Sequence, residues 1–279
     1  MTTIAFPNQS GGATKTTSTT SIGSLLATKH HKRTRYIDGD LQCDTSHICG
    51  YTDPDEEESQ ANLIDVLSGD TTLNEATVPV RLKNGKDGDG KDLWRPIANL
   101  SLVMGSIDLA AAERNLVTEI GGETRLQKAL DDEDDRDLIN LVDCPASLGI
   151  VLVNILAAAD YVIPCVKPGL KEIRALTKLE DTIDKVNSSL RRGLPKLEIA
   201  GIIIADVPTS RQAGAIYDDA LKLVTNMYGS DIVLPKVARS VKVPESYAAQ
   251  KALPVHAPTC ETAKNYEAMT KELIKRGLV

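Results

Sequence analysis

Residues 7–18 read PNQSGGATKTTS. The stretch has the make-up of a phosphate-binding loop without its usual landmarks: the ordinary P-loop pattern asks for glycine six residues before the lysine and again immediately before it, where Gln9 and Thr14 stand. Phosphate binding needs backbone N–H groups converging at a helix N-terminus, and a cation. Gly11 and Gly12 permit the turn, Lys15 supplies the charge, and the Thr16 hydroxyl is suited to Mg²⁺. The flanks agree. Apolar Ile4, Ala5 and Phe6 precede the loop as a strand, and 18–28 continues it as a helix with Ile22, Leu25 and Leu26 on one face. A Gly-Gly with a nearby lysine equally marks a plain strand-to-helix turn, so companions decide the reading.

Two companions stand at the ends of expected strands. Asp38 and Asp40 follow the apolar run at 35–37, and Asp143 follows 138–142. In open α/β sheets ligands sit at the strands' carboxyl ends, so the three segments converge on one bound nucleotide. An aspartate there holds Mg²⁺ through water, and a second orients the water that attacks the γ-phosphate. A single strand-end aspartate is more often a turn or helix cap; the combination is not.

Apolar runs at 4–6, 35–37, 100–104, 138–142, 161–166, 199–205 and 232–234 alternate with helical patterns at 15–28, 109–130, 150–158, 170–190, 212–227 and 262–276. That alternation predicts an α/β protein: one doubly wound, mostly parallel sheet with helices on both faces, a single domain over 1–279. The irregularity is 51–95, with the acidic run at 53–58 and the Asp/Gly run at 84–91. Neither run can bury apolar surface, so both are expected as surface loops around a short helix at 62–67. The Asp/Gly run lacks the glycine spacing and closing glutamate of a calcium loop and reads as a solvated hairpin.

The 279 residues are 42% hydrophobic, ordinary for a globular protein. A net charge of -7 argues against a generally basic coat for nucleic acid but leaves room for a local basic patch. Cys43, Cys49, Cys144, Cys165 and Cys260 are odd in number and form no C-x-x-C pair, which predicts a reducing, cytoplasmic setting, cysteines acting as small hydrophobes, and no metal cluster. Polar residues interrupt the N-terminus, and no run approaches the ~20 apolar residues of a membrane span, so a soluble protein is expected.

With these motifs together, the chain resembles the ParA/MinD family of deviant Walker A ATPases, whose loop K-G-G-x-x-K-[ST] tolerates a non-glycine before the lysine. Residues 11–16 follow that pattern from the glycines onward. The segment 38–42, DGDLQ, is similar to the family's D-x-D-P-Q with Leu41 for proline, and 143–149, DCPASLG, to its D-x-P-P-S-L-G with Ala146 for the second proline. Stretches 154–168 and 234–258 extend the likeness to the short partition ATPases over nearly the whole chain outside 51–95.

The resemblance implies ATP and Mg²⁺ as cofactors. It implies Lys15 on the β- and γ-phosphates, Thr16 on Mg²⁺, Asp143 supporting the metal, Asp38 organising the metal side, and Asp40 positioning the hydrolytic water. Ser10, Gly11, Gly12, Ala13, Thr14 and Thr17 would line the phosphates, and Asp206 and Pro235 would approach adenine. One departure stands out: the family's signature lysine, which reaches the partner subunit's phosphates in an ATP-sandwiched dimer, is replaced by Ser10. Serine has neither the reach nor the charge, so weak basal hydrolysis is expected unless Lys167, Lys171 or Arg174 substitutes.

The resemblance further implies an ATP-bound homodimer that coats double-stranded DNA without sequence preference and is regulated by a centromere-binding, ParB-like partner, in the cytoplasm on the nucleoid. Lys236, Arg239, Lys242 and Lys251, against one acidic Glu245, are the expected DNA face, with Arg211 and the Arg191-Arg192 pair extending it. Because the loop begins close to Met1, no helix-turn-helix extension is expected, and operator binding is expected of the partner. Two competing readings remain. A membrane-cycling, MinD-like positioner needs an amphipathic C-terminal membrane helix, whereas Tyr266, Met269, Leu273 and Ile274 are expected to pack on the sheet. A nucleotide switch without useful turnover is favoured by Ser10.

Overall fold

The computed structural model describes residues 1–8, 14–51, 60–90, 92–209 and 211–279, with 211–216 described by backbone alone. In chain order the first half holds β1 (Thr2–Phe6), α1 (Thr14–Lys29), β2 (Thr34–Asp38), α2 (Asp44–Ile48), α3 (Leu63–Ser68), α4 (Leu73–Ala76), β3 (Thr77–Lys86) and β4 (Asp92–Val103). There follow α5 (Leu109–Thr118), α6 (Arg125–Asp131), β5 (Ile139–Asp143), α7 (Ile150–Ala158), β6 (Tyr161–Val162), β7 (Cys165–Val166) and α8 (Leu170–Ser189). The chain closes with β8 (Glu198–Ile199), β9 (Ile203–Ile204), α9 (Arg211–Tyr228), α10 (Lys242–Ala248), α11 (Leu253–His256) and α12 (Glu261–Lys275).

The main sheet has seven strands in the order β3-β4-β2-β5-β1-β6-β8, parallel throughout except that β3 runs antiparallel to β4. β2 and β5 are buried on both faces, as central parallel strands are. Side chains alternate along β1: Ile4 and Phe6 join Ile22, Leu26, Tyr266 and Met269 on one face, and Ala5 joins Val151 and Ile155 on the other. The tail therefore packs as expected, with Tyr266, Met269 and Leu273 of α12 buried. Among the described residues no helix is long and apolar enough to cross a membrane. Cys43, Cys49, Cys144 and Cys165 are buried thiols.

Helix α1 is rich in serine and threonine yet buried from Thr14 to Ala27. Hydroxyls bonding back one turn make this tolerable: Ser18 donates to the Thr14 carbonyl (2.6 Å), Thr19 to Lys15 (3.0 Å) and Thr20 to Thr16 (2.7 Å). Gly23 lets α1 lie on β2, because a Cβ there would stand 2.2 Å from the Tyr36 ring.

Four expectations are corrected. The run at 161–166 becomes β6 and β7, broken at Pro164, which has no N–H to give; Ile163 and Cys165 still donate to Ala5 (2.9 Å) and Pro7 (3.0 Å) across the break. The run at 199–205 divides likewise into β8 and β9, and 232–234 makes only an isolated parallel bridge, Ile202 to Val233, after a 3-10 turn at Ser230–Ile232. The helix expected over 109–130 ends at Thr118, since Gly121 takes a left-handed φ of 73° and a Cβ on Gly122 would meet the Leu116 carbonyl at 2.0 Å.

The largest correction concerns 51–95. The acidic run at 53–58 lies outside the described residues. Among the described residues that remain, the short helix expected at 62–67 is present as α3, whereas much of the expected loop is secondary structure: α3 and α4 each begin with a capping box, Asn62 with Asp65 and Thr72 with Glu75, and β3 and β4 form an antiparallel hairpin that widens the sheet. Residues 84–90 of the Asp/Gly run form the hairpin's exposed end, as expected. Arg81 anchors the hairpin between the Tyr51 and Trp94 rings, 4.0 and 4.8 Å from their centroids.

A buried ion pair ties the segment between α6 and β5 to β2. Arg35 and Glu133, with side chains 1% and 4% exposed, pair through both guanidinium ends at 2.8 and 2.5 Å, while Arg35 Nε donates to Asn140 (2.9 Å). Replacing Arg35→Met leaves the carboxylate buried and uncompensated, so urea unfolding should show a loss of about 3–5 kcal/mol, much of it recovered in the double variant with Glu133→Met.

Candidate functional site

Register builds the site. Asp38, last in β2, stands opposite Asp143, last in β5, and Asp143 stands opposite Phe6, last in β1. Three strand ends thus meet where α1 begins. The chain turns sharply after Asp38: Gly39 N–H donates to the Asp143 carbonyl (2.9 Å), and a Cβ on Gly39 would lie 2.9 Å from that same oxygen. The turn brings Asp40 over α1, where its Oδ2 meets Lys15 Nζ at 3.1 Å.

The two deep aspartates are fully buried and held by hydroxyls. Asp143 Oδ2 accepts from Thr16 Oγ1 (2.6 Å) and Thr45 Oγ1 (2.8 Å). Asp38 Oδ2 accepts from the Ser46 N–H (2.8 Å) and hydroxyl (2.7 Å), and Ser46 Oγ in turn accepts from Gly105 N–H (3.0 Å). Asp143 Oδ1 is buried with no hydrogen-bond partner among the described residues. An orphaned carboxylate oxygen beside a threonine hydroxyl fits a hydrated Mg²⁺, which takes one or two protein ligands and completes its shell with water and phosphate oxygens. Among the described residues no group of three or more His, Cys, Asp or Glu is placed to hold a metal.

Beside the strand ends lies a cavity of about 180 Å³ lined by Thr14, Thr17, Lys167, Asp206, Val237 and Arg239, among others. Asp206 adopts a φ of 60° and carries both cations of the rim: Arg239 at 2.8 Å and Lys167 at 3.5 Å.

The family model described as an AAA domain matches residues 1–196 of the chain. The chain belongs to the ParA/MinD-type P-loop ATPase family. An uncharacterized protein of Mycobacterium tuberculosis is 32% identical over 275 residues, spanning 98% of this chain and 78% of that protein. The chromosome-partitioning ATPase Soj of Treponema pallidum is 29% identical over 274 residues, 98% of this chain and 97% of Soj. Among solved structures, cobyrinic acid a,c-diamide synthase of Mycobacterium smegmatis, with bound ATP analog and magnesium, superposes with a TM-score of 0.76 at 25% identity, covering 99% of this chain and 96% of that one.

Within this ParA/MinD-type framework the expected residues divide. Lys15, Thr16, Asp38, Asp40 and Asp143 are brought together, and Thr14, Thr17 and Asp206 line the adjoining cavity. Ser10, Gly11, Gly12 and Ala13 lie outside the described residues, as does the side chain of Arg211. Pro235 does not line the cavity. Its neighbours Leu234 and Val237 donate to Ile202 and Ile204, level with the body of the sheet, and the wall forms farther along at Val237 and Arg239. Lys167 turns into the cavity of its own chain, while Lys171 and Arg174 are exposed on α8.

The basic segment is less free than its sequence implies. Arg239 is bound to Asp206, Lys242 pairs with Glu245 at 2.6 Å, Lys236 lies over the Tyr217 ring at 5.3 Å, and Lys251 is half-buried. Arg191 does not extend the patch. It is buried and donates to the carbonyls of Ala157 (2.6 Å), Ala159 (2.8 Å) and Pro195. The sequence reading missed Thr45 and Ser46; their only signal is a pair of hydroxyl residues soon after Asp38, in a polar stretch too short for a helical pattern.

Burial and the facing Asp143 charge push the Asp38 carboxyl from an ordinary 3.8 up to about 8. Burial pushes Asp143 up to about 6, against the pull of Lys15 and the two threonine hydroxyls. Both groups therefore bind protons more tightly folded than unfolded, so their contribution to stability is present below about pH 4 and lost as pH rises through about 6 and about 8. Melting of the nucleotide-free protein in magnesium-free buffer should fall from pH 5 to 9, on the order of this window, and Asp38→Asn should flatten the upper part. A melting temperature that climbs over the range would contradict the assignment.

Proposed function

We propose that the protein is a DNA-partition ATPase that binds ATP and Mg²⁺ at the carboxyl ends of β1, β2 and β5. The observation that carries the reading is the convergence of Lys15 and Thr16 on Asp38, Asp40 and Asp143, with the Asp143 Oδ1 oxygen left without a partner among the described residues. Thr16 would ligate Mg²⁺, and Asp143, backed by Asp38, would hold its waters; the ion's contribution is to neutralise charge on the phosphate oxygens. Lys15 leaves Asp40 for the β- and γ-phosphates. Asp40, released, accepts a hydrogen bond from the attacking water and orients it in line with the γ-phosphorus. The cavity beside Asp206 takes the base. The names of the relatives, Soj of Treponema pallidum among them, support partition as the purpose.

The reading includes a homodimer formed on ATP, non-specific double-stranded DNA as the surface on which it acts, a centromere-binding partner that stimulates release, and a place on the nucleoid. With Ser10 where the family carries a lysine, basal turnover is slow, and Ser10→Lys should raise it; unchanged turnover with unchanged dimerisation would remove Ser10 as the limiting group. Asp40→Ala should cut steady-state phosphate release at least about a hundredfold while ATP still binds, whereas Lys15→Ala should abolish binding.

DNA binding tests the whole reading. Purified protein is titrated with duplex DNA of arbitrary sequence in Mg·ATP, in Mg·ADP and without nucleotide, at two salt concentrations. Salt-sensitive binding with Mg·ATP alone is the expected result. ATP binding without DNA binding in any state would overturn partition and leave a nucleotide switch.

A further inference from the structure

Helix α2 is a single turn of five residues, Asp44–Ile48, and cannot hold its own position. It is entered through Cys43 at a φ of 53°, with no side-chain cap at its N-terminus. Tertiary contacts on two sides fix it. On the inner side Thr45 and Ser46 grip Asp143 and Asp38. On the outer side Tyr247 of α10 donates its hydroxyl to Asp44 Oδ1 (2.9 Å) and stacks on His47, with ring centroids 4.5 Å apart and planes 27° apart. Gln250 adds a longer bond, 3.4 Å, to the His47 carbonyl.

Behind this contact the packing is open. A cavity of about 250 Å³ lies between α1 and the α10–α11 segment, lined by Thr16, Thr20, Ile48, Pro244, Tyr247 and Leu253, among others. The Tyr247 contact with α2 is the short route between α10 and the metal side of the site, beside the longer path in which α10 packs on α11 and α11 on α1. Four bonds on the short route are accepted by carboxylates, from Tyr247 to Asp44, from Thr45 to Asp143, and from the Ser46 N–H and hydroxyl to Asp38, the stronger class of hydrogen bond.

We propose that Tyr247 is a positioning residue for the magnesium side of the nucleotide site: by holding α2 it holds the Thr45 and Ser46 hydroxyls on Asp143 and Asp38, and so sets the affinity for Mg·ATP from the surface of the molecule. The inference rests on the proposed ATP and magnesium site.

The test is a double-mutant cycle read in two buffers. ATP affinity of the full chain is measured by calorimetry with Mg²⁺ and with EDTA for the wild type, Tyr247→Phe, Tyr247→Ala, Thr45→Val, Thr45→Ser and the Tyr247→Ala/Thr45→Val pair. Tyr247→Ala should weaken binding in Mg²⁺ about tenfold and leave binding in EDTA within about twofold, and Tyr247→Phe, which keeps the stack, should lose about threefold. Thr45→Val should lose about as much as Tyr247→Ala, Thr45→Ser should retain the wild-type value, and the double variant should be no weaker than the worse single one. Equal losses in both buffers, or additive losses in the pair, would overturn the inference while leaving the site intact. Absence of ATP binding by the folded wild type would sink the proposed function, and the inference with it.

Discussion

Two carboxylates buried side by side, Asp38 and Asp143, are the constraint to which the rest of the molecule answers. Burying an ionised carboxyl is costly unless hydrogen bonds and a cation compensate, and two in neighbouring strand-end positions repel each other as well. The chain supplies hydroxyls from α1 and α2, the Ser46 and Asp40 amides, and Lys15 nearby. The compensation is incomplete. Among the described residues one oxygen of Asp143 has no partner, and burial pushes the pKa of both acids up. A site left short of positive charge at its deepest point is one that a divalent cation improves.

The same constraint explains the odd composition of α1. A helix that must present a lysine and a threonine to such a site, and be covered on every side, would ordinarily be apolar. Here serine and threonine fill it, and most of the hydroxyls have a partner one turn back or across the packing, as with Ser18 and the Tyr266 hydroxyl at 3.0 Å, while Ser21 Oγ has none among the described residues. Tyr36 likewise donates to the Thr20 carbonyl (2.7 Å). The C-terminal helix α12 therefore closes over α1 with polar as well as apolar contacts, so the last segment of the chain helps to hold the first loop's helix in place.

What the sequence made legible was what depends on strand ends. Asp38, Asp40, Asp143 and Lys15 sit at boundaries between an apolar run and a turn, and a parallel sheet brings such boundaries to one edge. Less legible was anything decided by long-range packing. Capping boxes at Asn62 and Thr72 and a hairpin pinned by Arg81 turn an apparent loop region into sheet edge. Gly121 and Gly122 divide an apparently continuous helix. Arg191, which reads as surface charge, is buried because the carbonyls of Ala157, Ala159 and Pro195 converge on it. Thr45 and Ser46 matter only because α2 is turned toward the aspartates, and no periodicity records that turn.

The ligand-free arrangement also determines what a ligand must do. Lys15 is already paired with Asp40, and the Thr16 hydroxyl is already donated to Asp143. A ligand that recruits both groups exchanges these bonds for its own, so its net affinity is the difference between two sets of contacts rather than the sum of new ones. Exchange at Lys15 has a further consequence. Under the proposed mechanism the partner it leaves, Asp40, is then an acid at the rim able to accept a hydrogen bond from a water. Only a ligand with enough negative charge near Lys15 to outcompete a carboxylate at 3.1 Å can free Asp40 in this way. The ion pair thus discriminates between a ligand that merely fills the cavity beside Asp206 and one that carries phosphate charge as far as Lys15, and it ties the freeing of Asp40 to the arrival of that charge.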